Sequence, residues 1–234
     1  MMSNPFSKPI LRFLVVVAFG IAFAYIESAV VVYLREIFHS DGFDFPLTSF
    51  GMDPRWTPLL VTEIGREAAT LVLILTGCYL AGANIRQRFA YFLVIFAIWD
   101  IFYYVWLKVL IAWPASLMDW DILFLIPMVW ASPVLYPVLV SITMLAMAIL
   151  ILGRDLTGRP IRTTWLDWIG YVVACVIIVA AFCMGGRAVT QPDYAEHFSP
   201  ALFGAGNILA IGVFLKCLVR SRRRRSGDAS LRSA

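Results

Sequence analysis

Between residues 10 and 219 the chain strings together six predominantly apolar stretches, each close to the length that crosses a bilayer as a helix. They run over Ile10–Leu34, Leu59–Ala81, Arg88–Ile111, Met128–Leu152, Trp165–Met184 and Pro200–Val219. About 20 apolar helical residues span the ~30 Å of hydrocarbon in a membrane. A water-soluble chain of 234 residues has no core large enough to bury runs such as Phe13 to Ala24 and Val172 to Met184. Hydrophobic residues make up 61 % of the chain and charged residues 15 %, against about 45–50 % apolar in soluble domains. The expected fold is therefore an all-α integral membrane protein, a bundle of about six transmembrane helices. One polytopic domain would cover residues 1–219, with a basic, disordered tail over 220–234.

Charge placement orients the bundle. With six spans both termini lie on one side, and that side collects Lys8, Arg12, Arg86, Arg88, Arg154, Arg159, Arg162 and seven further basic residues, including Lys216 and Arg232. The opposite loops hold only Arg35, Arg55 and Arg187, with the acids Glu36, Asp41, Asp44, Asp53, Asp119, Asp121, Asp193 and Glu196. Short loops rich in Lys and Arg stay in the cytoplasm. The expectation is an integral protein of the plasma membrane, or of the inner membrane in a bacterium, with N- and C-termini cytoplasmic. Trp56, Trp113, Trp120 and Trp165 fall near span ends, where an aromatic belt belongs. A rival reading makes Phe13 to Ile21 a signal-peptide core cleaved after Ala22-Phe23-Ala24, but apolar sequence continues to Leu34 and completes a full span.

The fourth span needs a break. Trp120 to Leu152 as one helix would reach about 50 Å, and Pro127, Pro133 and Pro137 interrupt it. An interfacial or re-entrant piece around Ser116 to Ile126, followed by a span broken by prolines, meets both facts. No internal repeat is evident beyond the echo of Trp99-Asp100 in Trp120-Asp121.

Ionisable side chains are costly at membrane depth, by about 2.5–3.5 kcal/mol for a central charge on insertion scales. Away from the cytoplasmic ends of the spans six remain: Glu27, Glu63, Arg66, Glu67, Asp100 and Lys108. With the direction of each span and helical rise, all lie about 5–16 Å from the outer end, as does Asn207 of the last span. Glu63, Arg66, Glu67 and Thr70 share one face of the second span; Asp100, Tyr103, Tyr104 and Lys108 share one of the third. Gly20 and Ala24 beside Glu27, and Gly204 and Ala210 beside Asn207, allow close helix approach. The candidate ligand- or proton-binding set is Glu27, Glu63, Arg66, Glu67, Asp100, Tyr104, Lys108 and Asn207. Four carboxylates face two cations, so at least one acid is expected to be protonated or neutralised by a bound cation. Arg66 is the expected hub, because its fork can hold two carboxylates.

Other chemistry has little to stand on. No H-E-x-x-H, G-x-S-x-G or P-loop sequence occurs. His39 and His197 fall in outward loops, away from any haem site within the spans and without zinc-ligand spacing. Cys78, Cys175, Cys183 and Cys217 read as small residues within or beside apolar segments. No cofactor and no catalytic residue is expected. The arginines at 220 and 222–225 anchor topology and offer a contact for anionic lipid; nucleic acid is not an expected partner. Six thin-walled helices suit a homodimer. The leading expectation is a small proton- or cation-coupled transporter with a polar pocket in its outward half. A membrane enzyme acting on a lipid or lipid-linked substrate, and a non-catalytic subunit whose ion pairs only specify packing, are the alternatives.

Overall fold

The computed structural model describes residues 9–38, 42–47 and 57–232, and side chains as far as residue 222. In chain order these form α1 (Pro9–Phe38), α2 (Thr57–Ala81), α3 (Ile85–Ile111), β1 (Trp120–Phe124), β2 (Trp130–Pro133), α4 (Leu135–Leu156), α5 (Trp165–Gly186), the single turn α6 (Tyr194–His197) and α7 (Pro200–Arg232). Five helical segments are long and apolar enough to cross a membrane: α1, α3, α4, α5 and the stretch Tyr194–Arg222. Helix α2, with 25 residues, is as long as its neighbours but carries Glu63, Arg66 and Glu67 and is not among the five. Large apolar side chains such as Val61, Leu80, Ile85 and Ile208 point outward from the bundle, as a lipid-facing surface requires. Helix α1 is continuous through Ala22-Phe23-Ala24, and Phe23 and Ala24 are core residues.

Helix α3 is the centre. It packs against α1, α4 and α2, while α5 pairs with α7. Its start is set by Asn84, whose side chain accepts from the Gln87 N–H at 3.1 Å, and its end by Ala112 in the left-handed region with φ 56°. Gly20 lets α1 come close: a Cβ there would lie 2.9 Å from Ile98 Cγ2. Two hydrogen bonds then tie the pair, Trp106 Nε1 to the Ile21 carbonyl at 3.0 Å and Ser28 Oγ to the Tyr103 carbonyl at 3.0 Å.

The proline-rich stretch departs from the expected broken helix. Residues 120–133 form an antiparallel hairpin, pairing Trp120 with Pro133, Asp121 with Ser132, Ile122 with Ala131 and Phe124 with Trp130. Its base is tied to the preceding loop by the Val134 and Leu135 N–H groups, which donate to the Asp119 and Leu117 carbonyls. The prolines punctuate rather than kink. Pro127 lies between the strands, Pro133 ends β2, and Pro137 is the third residue of α4, where the backbone N–H has no partner within the helix. The fourth long helix consequently begins at Leu135, not Met128, and is unbroken. Strand pairing within the hairpin serves the same need as a helix, by giving buried N–H and C=O groups internal partners.

The hairpin rests on the end of α5. A Cβ on Gly185 would collide with the Ala131 carbonyl and one on Gly186 with the Val129 carbonyl, so strand backbone lies directly on helix backbone. On its other side Phe124 meets Trp99 of α3 at 6.2 Å between ring centroids. At the opposite end of the bundle, polar contacts close the helix ends. The Arg12 guanidinium donates to the Ala81 carbonyl at 3.1 Å, and Gln87 to Asp155 at 2.5 Å. Asp167, almost fully buried, caps α5 through Thr164 and pairs with Arg220 and Lys216 of α7. Arg220 therefore belongs to the packed bundle rather than to a tail, and helical backbone continues through Arg232 where the sequence predicts disorder. Cys78 and Cys217 are buried, whereas Cys175 is exposed and Cys183 half-buried.

Candidate functional site

At the hairpin end a cavity of about 220 Å³ opens between α1, α2, α3 and the hairpin. Helical periodicity builds two of its walls. Glu27, Val31, Leu34, Arg35 and Phe38 repeat along one face of α1; Thr57, Leu60, Glu63, Arg66 and Glu67 do so along α2. From α3 come Phe96, Trp99, Asp100, Tyr103 and Tyr104, and from the hairpin Asp121, Phe124 and Trp130.

Arg66 is the hub the sequence predicts. Its guanidinium donates to Glu27 of α1 and, with Nε at 2.8 Å, to Glu63 one turn earlier on its own helix. Thr70 Oγ1 adds a bond to the second Glu27 oxygen at 3.3 Å. A fork holding two carboxylates has no donor geometry to spare for an acidic ligand without giving one up.

The other two predicted acids are held only by neutral donors. Both Glu67 oxygens accept from the Leu125 N–H, at 3.0 and 2.8 Å, which places the hairpin tip against α2. Asp100 Oδ2 accepts from Ser141 Oγ of α4 at 2.7 Å. Glu67 is 4 % exposed and Asp100 9 %.

A second ion pair was not predicted. Arg35 Nη2 lies 3.2 Å from Asp121 Oδ1. Its guanidinium lies over the rings of Phe43, at 4.0 Å, and Trp113, at 3.8 Å, which meet each other edge-on, and each ring attracts the cation. Tyr103 OH donates to the other Asp121 oxygen at 3.3 Å. The sequence assigns both residues to outward loops. Two signals were nevertheless there: Arg35 lies eight residues after Glu27, hence on the same helical face, and Asp121 stands alone within the apolar run Trp120 to Ile126.

Tyr104 joins the site: it lines the cavity and its ring packs on Tyr103 at 4.9 Å. Lys108 does not. Its ammonium turns to the carbonyls of Ala112, at 3.1 Å, and Pro114, at 2.8 Å, and closes the end of α3, because a cation there meets the unpaired carbonyls of a helix terminus. Asn207 is also elsewhere, 3.4 Å from Thr143 Oγ1 at the contact of α7 with α4. Depth along the membrane put both beside the acids, but depth says nothing about which way a helix faces its neighbours.

The cavity lining thus holds five carboxylates, Glu27, Glu63, Glu67, Asp100 and Asp121, against two guanidiniums, Arg35 and Arg66. Three acids remain unbalanced if all are ionised. Three lining donors are buried without an acceptor among the described residues: Trp99 Nε1, Trp130 Nε1 and Arg35 Nε. An unmade bond of this kind costs about 1–3 kcal/mol. Among the described residues no group of three His, Cys, Asp or Glu side chains is arranged to hold a metal ion. His197 lies 3.4 Å from Asp193 in the α6 turn; His39, Asp41, Asp53, Arg55 and Trp56 lie outside the described residues.

No family model matches this chain, and neither the curated proteins nor the solved structures contain a match to it.

Proposed function

We propose that the protein is a small cation-selective membrane carrier, coupled to protons, whose outward-half cavity binds its cargo among Glu27, Glu63, Glu67, Asp100 and Tyr104. In this reading all six long helices cross the membrane, and both termini are cytoplasmic. One observation carries the reading: the cavity lining is acidic beyond its own cations, and both guanidiniums are already committed to carboxylates. An unbalanced buried acid must hold a proton or meet a cation, so exchanging one for the other is the chemistry such a lining is suited to. The withdrawal of Lys108 weighs against an acidic cargo and against a lipid phosphate as substrate. A network serving only to specify helix packing would fill its own space; here the charged groups border an open cavity.

The test is a flux assay in proteoliposomes. Vesicles are loaded with pyranine at acid internal pH and exposed in turn to sodium, potassium, calcium, tetramethylammonium and choline chlorides. We expect at least one cation to raise the internal pH in the presence of protein, and Glu67→Gln or Asp100→Asn to lower that rate at least tenfold. No response to any of these cations, or equal rates in Glu27→Gln, Glu67→Gln and Asp100→Asn, would overturn the reading.

A further inference from the structure

The cavity's aromatic lining narrows the cargo. Phe96 packs on Trp99 at 5.5 Å, Trp99 on Phe124 at 6.2 Å and Phe124 on Trp130 at 5.6 Å between centroids. These rings form one continuous surface on the same lining as Glu67 and Asp100. The two carboxylates outside any ion pair are thus accompanied by aromatic rings, which stabilise an organic cation where water is excluded. A hard metal ion calls for a different arrangement, with several oxygens converging on one point. Here each acid is held apart on its own donor, Glu67 on Leu125 and Asp100 on Ser141.

Resting on the carrier reading, we propose that the cavity recognises a small organic ammonium ion. The ammonium faces Glu67, Asp100 and the Trp99–Phe124 surface. The apolar lining residues Val31, Leu34 and Phe38 of α1 and Leu59 and Leu60 of α2 accommodate its alkyl substituents.

Choline is a suitable probe, because it cannot shed its charge and so cannot cross the bilayer as a neutral amine. Its binding to the full chain in lipid nanodiscs is measured by isothermal titration calorimetry, beside tetramethylammonium, sodium and the uncharged isostere 3,3-dimethyl-1-butanol. We expect saturable binding of choline and of tetramethylammonium, at least tenfold weaker binding of sodium, and none of the alcohol. Trp99→Leu should weaken choline at least tenfold and Trp99→Phe, which keeps a ring but no N–H, by less. Asp100→Asn should weaken it while leaving the melting temperature of the nanodisc-embedded protein near that of the parent. Should Asp100→Asn fail to fold, Trp99→Phe and the ligand series decide alone. Sodium or potassium driving the pyranine response without choline binding would overturn this inference and leave the carrier standing. Absence of both overturns the carrier as well. Equal binding of choline and its alcohol would show an apolar pocket without charge recognition, and the inference would fall.

Discussion

At the scale of single residues, Arg66 and Lys108 show how little a charge in an apolar helix says until its direction is known. Arg66 turns inward and bridges two helices; Lys108 turns along its own axis and closes it. Replacing Arg66 by Lys keeps the charge but not the fork, so either Glu27 or Glu63 loses its partner. Breaking a buried pair costs about 3–5 kcal/mol. We expect Arg66→Lys to lower the melting temperature of the detergent-solubilised protein and Arg66→Ala to lower it further. Lys108→Met should reduce stability by about 1 kcal/mol or less, as for a helix-end cation, and leave cation flux intact; a loss of flux would return Lys108 to the site. The inward set Glu27, Glu63, Arg66, Glu67, Asp100 and Tyr104 was legible because charge is expensive in an apolar helix and i, i+4 spacing fixes its face. Asp121 was not legible, since its placement depends on a hairpin that no local pattern announces.

Among the elements, the hairpin carries the difference between sequence and structure. Three prolines in an apolar run read as damage to a helix, yet two strands of five and four residues use them as boundaries. The echo of Trp99-Asp100 in Trp120-Asp121 proves to be convergence rather than repetition: one pair lies in a helix, the other in a strand, and both aspartates line the same cavity. The two glycines under the hairpin give a direct test. Gly186→Ala forces strand and helix apart, and overpacking of this kind costs about 1–3 kcal/mol. Thermal unfolding should register that loss, and because the hairpin tip meets Glu67 through Leu125, flux should fall with it. Unchanged stability would mean that the hairpin does not depend on that contact. At the other end, Asp167→Asn and Arg220→Gln should each destabilise, and a double-mutant cycle should return a coupling of about 0.5–3 kcal/mol for partners in contact. Near-additive effects would show that α5 and α7 are held by apolar packing alone.

For the whole molecule, the count of membrane helices and their direction are open to experiment. The basic ends at Arg86, Arg154, Arg159 and Arg162 lie opposite the cavity, and positive charge stays in the cytoplasm. In a background lacking the four native cysteines, Thr157→Cys should react with an impermeant maleimide only after the cytoplasmic face is exposed, and Asp193→Cys from outside. Reversed labelling would turn the cavity inward; labelling of both from one side would remove a span, α2 being the one in question. The apolar spacing made the long helices readable, whereas the order in which they pack, with α3 enclosed and α2 at the margin, emerges only from side-chain fit.

The bare backbone contact between β2 and α5 has a mechanical meaning. With no side chains between them to repack, strand and helix have nothing to slide on, and the hairpin is joined as well to α3 through Trp99 and runs into α4 through Val134. These parts form a stator. Helix α2 touches it chiefly along α3 and through the grip of Glu67 on the hairpin tip, and meets α1 through the bonds of Arg66 and Thr70 to Glu27 and of Arg12 to the Ala81 carbonyl. If the cavity alternates its access, α2 is the piece free to travel, and the bonds made by Glu67, Arg66 and Thr70 are the catches it must release at the cavity end.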